Sequence, residues 1–123
     1  MTKLFIYGSL KKGHYNHTRF GFNKSTFLGE ACTLEKYKLL SAGWFPVMVE
    51  AEPGTSIQGE IWEVEDDCLK YLDCMELDSG YARKPVELKE TGIEGLIETY
   101  LYQGSTDRFT DVGSCWDLVH VKS

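Results

Sequence analysis

The stretch Gln58-Gly59-Glu60-Ile61-Trp62-Glu63-Val64, followed at once by Glu65-Asp66-Asp67-Cys68-Leu69-Lys70-Tyr71-Leu72-Asp73-Cys74-Met75-Glu76-Leu77, decides the fold class. Gln58 to Val64 has the length and composition of a β-strand. In Glu65 to Leu77 the apolar residues Cys68, Leu69, Leu72 and Met75 recur at steps of three and four and make one stripe. Asp66 and Asp67 fall where the positive end of a helix dipole favours acids, so the segment predicts an amphipathic helix.

Outward from this pair, the chain reads as a run of short strands. Leu4-Phe5-Ile6-Tyr7 is short and apolar and breaks at Gly8, as a buried strand entering a sharp loop would. Residues Gly8 to His17 then read as a loop leading into a brief helix. Phe27 to Ala31, Tyr37 to Leu40, Val47 to Glu50, Val86 to Lys89 and Leu96 to Tyr102 each have strand length and composition, most of them separated by Gly, Pro, Asn or charged residues. The tail from Thr106 reads as a loop, with a last strand around Trp116 to Val121 anchored by Trp116. The expected class is α+β: a small antiparallel or mixed β-barrel of six or seven strands, with one main helix and short flanking helices.

A chain of 123 residues with 42% hydrophobic and 26% charged residues supports one core, and it carries no repeat or low-complexity linker. Residues 1–123 are expected to form one domain. The formal charge of -6 and the scattering of the 13 Lys and Arg argue against a nucleic-acid partner. No apolar run approaches the roughly 18 residues of a membrane helix, and Leu4 to Tyr7 is too short for a signal-peptide core. A soluble, cytoplasmic monomer with no membrane partner is expected. Cys32, Cys68, Cys74 and Cys115 match neither zinc-ribbon nor C-x-x-C spacing, and His14, His17 and His120 form no metal-binding pair. Reduced thiols are expected ahead of a disulfide pair, which the even count of cysteines leaves open, and no metal is expected.

Two segments could carry chemistry. In Tyr7-Gly8-Ser9-Leu10-Lys11-Lys12-Gly13, glycine lets the backbone approach a ligand, and successive N–H groups could cradle an anion; a tight turn would need the same Gly8 for its dihedral angles alone. In the second, Glu76 falls in the last turn of the expected helix, where the dipole is negative and Asp73 and Asp78 add like charge. Each influence raises the pKa of Glu76, the direction a general base needs near neutral pH. A solvated helix end would look the same in sequence.

Taken together and in order, these segments resemble the γ-glutamylcyclotransferase-like proteins, and most closely their γ-glutamylamine cyclotransferase branch. The resemblance rests on Phe5-Ile6-Tyr7-Gly8-Ser9-Leu10-Lys11-Lys12-Gly13 with Asn16-His17, on Gly59-Glu60-Ile61-Trp62-Glu63-Val64, and on Leu72-Asp73-x-x-Glu76 with Tyr81-x-Arg83-x-x-Val86. Gly43 to Val47 and the strand ending Tyr100-Leu101-Tyr102 extend it over residues 3 to about 103. The chain departs from the commonest pattern in having Leu77 after the glutamate and Asp78-Ser79-Gly80 before Tyr81.

The resemblance implies release of an amine from a small γ-glutamyl amide as 5-oxoproline forms, without metal or cofactor. It implies Glu76 as the catalytic acid and base, and the backbone of Tyr7, Gly8, Ser9 and Leu10 as the cradle of the glutamyl group. Tyr102 lies where the family places a tyrosine reaching into the pocket, and Pro46 and Tyr81 are expected at its rim; half-buried β residues would read alike. Arg83 either ties a carboxylate near Glu76 or caps a strand at the surface. Asn16 and His17 are expected to order the loop, with a catalytic His17 as the lesser alternative, and Trp44 and Trp62 are expected to belong to the core rather than to form ligand platforms. Two alternatives stand beside this reading: a quiet module of the same fold that binds a small molecule or peptide end, and a deacylase of another γ-glutamylated metabolite.

Overall fold

The computed structural model describes residues 2–7, 25–42 and 46–113. Eight strands and one helix lie among them: β1 (Thr2–Ile6), β2 (Thr26–Cys32), β3 (Tyr37–Ser41), β4 (Pro46–Glu50), β5 (Gln58–Val64), α1 (Asp66–Asp78), β6 (Tyr81–Pro85), β7 (Ile97–Tyr102) and β8 (Thr110–Asp111). They build a five-stranded sheet in the order β2-β5-β1-β7-β6 and a three-stranded sheet in the order β4-β3-β8. The pairing of β1 with β7 is parallel and every other ladder antiparallel, so the class is α+β with a mixed sheet.

Alternation along the central strands sorts the core. Leu4 and Ile6 of β1, Trp62 and Val64 of β5 and Tyr100 of β7 join Leu72 of α1 in one buried cluster. Phe5, Ile61, Ile97 and Leu101 point the other way, into a second cluster with Tyr37, Leu39 and Met48. The two-residue period of a strand with both faces covered requires this division. Gly59 is obligatory between the layers: a Cβ there would meet the Ile6 carbonyl oxygen at 2.5 Å and the Phe5 ring at 2.6 Å.

The helix matches its sequence signal. Glu65 is the N-cap residue, Asp66 and Asp67 occupy the first turn, Leu72 is fully buried, and Cys68, Leu69 and Met75 pack at the edge of the first cluster. Two expectations need correction. The sheets do not close into a barrel: β2 and β6 are the edges of the larger sheet, and the segment after β6 reaches the end of β2 through one isolated bridge, Thr33 with Leu88. Two hydrogen bonds flank it, Leu34 N–H to the Glu87 carbonyl at 3.0 Å and Lys89 N–H to the Cys32 carbonyl at 2.9 Å. Pro85 ends β6, and Val86 just beyond it still donates its N–H to the Ile97 carbonyl at 3.0 Å, so this segment follows β7 rather than closing onto β2. The strand expected at Val86 to Lys89 lies earlier, at Tyr81–Pro85, and the expected segment contributes the isolated bridge with its flanking hydrogen bonds.

The brief helix expected within Gly8 to His17 and the last strand at Trp116 to Val121 lie outside the described residues, as does Trp44. Trp62 is 5% exposed and in the core. No helix among the described residues is long and apolar enough to cross a membrane. Cys32, Cys68 and Cys74 form no disulfide among the described residues.

Candidate active site

Glu76 stands in the last turn of α1, on the face that also carries Leu72 and Asp73, which is the face turned to the sheet. It is partly buried there, and no basic residue occupies that turn. Burial raises its pKa from the ordinary carboxylate value of 4.5 to about 7. The direction is the one expected from sequence, but the cause is lost hydration; the like charges of Asp73 and Asp78 are not what moves it.

The helix stops within one turn of Glu76. Ser79 donates its N–H to the carbonyls of Met75 and Glu76 at 3.2 and 3.1 Å, and Gly80 donates to Leu77 at 3.2 Å. Gly80 takes φ +91°, the left-handed region that suits glycine after a helix, and sends the chain directly into β6. Tyr81 thereby begins the strand beside the end of the helix.

Four tyrosines from three strands and their ends converge near this carboxylate. The Tyr81 hydroxyl donates to the Pro46 carbonyl at 2.8 Å, which ties β6 to β4 of the smaller sheet. Its ring meets Tyr102 edge-on at 5.5 Å, and Tyr102 in turn contacts Phe109 at 5.6 Å. The Tyr7 hydroxyl, just past β1, donates to the Tyr100 carbonyl at 2.5 Å. Burial raises the phenol pKa values of Tyr7, Tyr81 and Tyr100, and the charge of Glu76 adds to the rise in all three. These phenols stay protonated at neutral pH and can act only as neutral donors or acceptors.

The expected residues Tyr7, Pro46, Glu76, Tyr81 and Tyr102 are thus joined by hydrogen bonds, ring contacts and the field of one carboxylate. Gly8, Ser9 and Leu10, with Asn16 and His17, lie outside the described residues. Arg83 does tie a carboxylate close to Glu76: its Nε and Nη2 donate to the two oxygens of Asp73 at 3.0 and 3.1 Å, and Nη1 donates to Glu98 at 2.8 Å. Tyr100 completes the group by donating its hydroxyl to Asp73 Oδ1 at 2.7 Å. The supporting roles of Tyr100 and Glu98 were not found from sequence; their alternation with Tyr102 along one strand was the only available signal.

Two open surface cavities, of about 470 and 370 Å³, lie elsewhere, one along Val86 to Ile97 and one between Lys36, Glu50, Glu52 and Glu87, and neither is lined by an expected site residue. Among the described residues no group of three or more His, Cys, Asp or Glu side chains is arranged to hold a metal ion.

The model of the family described as "Gamma-glutamyl cyclotransferase, AIG2-like" matches residues 4–118. The chain belongs to this family. A protein of Methanocaldococcus jannaschii named "Putative gamma-glutamylcyclotransferase" is 39% identical over 104 residues, which cover 83% of each chain. The rat protein named gamma-glutamylaminecyclotransferase is 30% identical over 119 residues, covering 86% of this chain and 80% of its own. A crystal structure of a mouse AIG2-like protein superposes with a TM-score of 0.77 at 28% identity, over 95% of this chain and 88% of that one. The strand order that brings Tyr7, Glu76, Tyr81 and Tyr102 together is therefore set in a fold shared with members of the γ-glutamyl cyclotransferase family.

Proposed function

We propose that the chain is a γ-glutamylcyclotransferase of the γ-glutamylamine type, which releases an amine from a small γ-glutamyl amide and leaves 5-oxoproline, with Glu76 as the acid and base. The observation that carries the proposal is a partly buried carboxylate in the last turn of a helix, set among the tyrosines of β6 and β7, and the rise of its pKa to about 7 by burial supports it. A group poised near neutrality can both take and return a proton. The names of the relatives support the reaction class, and the rat relative supports an amine as leaving group.

In the proposed reaction the substrate supplies its own nucleophile. The α-ammonium gives a proton to Glu76, and the freed amine attacks the γ-carbonyl carbon, forming the ring C–N bond and an oxyanion. Collapse of that adduct breaks the original amide C–N bond: Glu76 gives its proton to the departing nitrogen, then takes the second proton from the ring nitrogen to leave the neutral lactam and passes it to the released amine, which departs as an ammonium. Tethering of nucleophile and carbonyl in one molecule is worth up to about 7 to 11 kcal/mol when the orientation is right. Tyr7 and the backbone of Gly8, Ser9 and Leu10 hold the glutamyl part in this reading, while Pro46, Tyr81 and Tyr102 shape the rim on the amine side.

The test is to incubate the protein with γ-glutamyl-ε-lysine, γ-glutamyl-alanine and glutathione and to measure 5-oxoproline. Turnover of γ-glutamyl-ε-lysine is expected, with Glu76→Gln lowering the rate about 100-fold or more. The acid limb of kcat/KM should have its midpoint near 7, with rate falling as pH drops and the base is protonated. Binding without turnover would replace the proposal with a ligand-binding module, and full activity in Glu76→Gln would refute the assigned base.

A further inference from the structure

The carboxylate of Asp73 sits one helical turn before Glu76, on the same face, where side chains three apart are about 5 to 6 Å from each other at Cβ. Left unpaired, it would press a second negative charge on the base. It is not left unpaired. Arg83 of β6 grips both of its oxygens in a bidentate fork at 3.0 and 3.1 Å, and Tyr100 of β7 donates to it at 2.7 Å. The third arm of the fork reaches Glu98 of β7 at 2.8 Å. Arg83 and Tyr100 are register partners in the β6–β7 ladder, so the hairpin itself presents both donors to the helix. The ion pairs are 18 to 29% exposed, sheltered enough for the fork geometry to matter.

We infer that Arg83, with Asp73 and Tyr100, forms a positioning device for the Glu76 site: the guanidinium cancels the charge of Asp73 beside the base, and the three bonds fix the turn of α1 that carries Glu76 against the β6–β7 hairpin. The inference rests on the role proposed for Glu76: burial raises its proton affinity, and the paired Asp73 is kept from adding to that rise. Among the described residues Glu76 is faced by Tyr7 from the end of β1, Tyr81 from β6 and Tyr100 from β7, all of them neutral phenols at physiological pH, with Asp73 and Asp78 on its own helix. Asp73 paired to Arg83 is the one place among these where the charge balance is set by a partner that mutation can remove alone.

The experiment follows the Glu76 carboxyl by 13C NMR titration, assigned by its loss in Glu76→Gln, alongside the pH profile of kcat/KM. Removing the cation in Arg83→Gln exposes Glu76 to Asp73 and should move the midpoint up by about 0.5 to 2 pH units. Asp73→Asn leaves the cation without its main counter-charge and should move the midpoint down. The double variant should return toward the wild-type value, and Arg83→Lys, which keeps the charge and loses the fork, should stay within about 0.5 unit. Opposite shifts from the two single variants are a result that mere loss of packing does not produce. Folded variants whose midpoints stay in place, or move together, overturn the inference; if Arg83→Gln does not fold, failure of Asp73→Asn to shift downward does so. Absence of turnover in the wild type defeats the proposed reaction but leaves the titration readable, so the two failures are distinct.

Discussion

A carboxyl that holds its proton more tightly in the folded chain than in the unfolded one weakens the fold as pH rises. Glu76 is such a group, with a folded value near 7 against 4.5 for an ordinary glutamate. Below about pH 4.5 it is protonated in both states and neutral to stability. Between 4.5 and 7 the unfolded chain releases the proton first, and above 7 the full cost of a desolvated charge remains. Glu76→Gln should therefore stabilise the protein at pH 8, by on the order of 1 to 3 kcal/mol, and make little difference at pH 4; paired denaturant melts at the two pH values check this. The position of Glu76 was legible in sequence, because a carboxylate at the negative end of a helix breaks a local rule, and the direction of its shift agrees because burial acts the same way. The cause was not legible. Whether Asp73 would repel Glu76 or be captured by Arg83 depends on where β6 lands, and no spacing along the chain states that.

At the scale of the element, α1 is held by a narrow contact. Leu72 is its one fully buried side chain, while Leu77, the next residue after Glu76, is 64% exposed. Leu72→Ala should cost about 2 to 5 kcal/mol and lower the rate as the turn bearing Glu76 loosens, whereas Leu77→Ala should change stability by less than about 0.5 kcal/mol; thermal melts and initial rates measured together separate the two. This helix and β5 were readable to within a residue because one carries an apolar stripe and the other is a strand-length segment whose Ile61, Trp62 and Val64 favour β structure. The strand Tyr81–Pro85 was not, since its buried residue is an aromatic at the very start and the rest is Ala, Arg, Lys and Pro. Its pairing with β7 outweighs that weak local preference. The expectation of a barrel failed for a related reason: regular strand spacing reports how many strands there are and not whether the two outermost ones meet.

At the scale of the molecule, the proposed pocket and the core are built from the same side chains. Tyr81 and Tyr100 belong to the cluster of Leu4, Ile6, Val64 and Leu72, and Tyr7 belongs to the cluster of Phe5, Ile61 and Leu101. Heating should therefore not silence the site before the fold gives way. Residual activity after timed heating and loss of the near-ultraviolet circular dichroism of the aromatic side chains should fall along one curve, and inactivation well below the melting transition would contradict the shared construction.

The chain of rings running from Tyr81 through Tyr102 to Phe109 crosses this construction from inside to outside. Tyr81 is 8% exposed, while Tyr102 and Phe109 are only half-buried. Under the proposed reaction, a lineage adapting to bulkier or more polar substrates would find its freedom at the outer two rings, where a change of size leaves the fold largely intact. Divergence in substrate range should accumulate on that flank, while the inner tyrosines drift slowly.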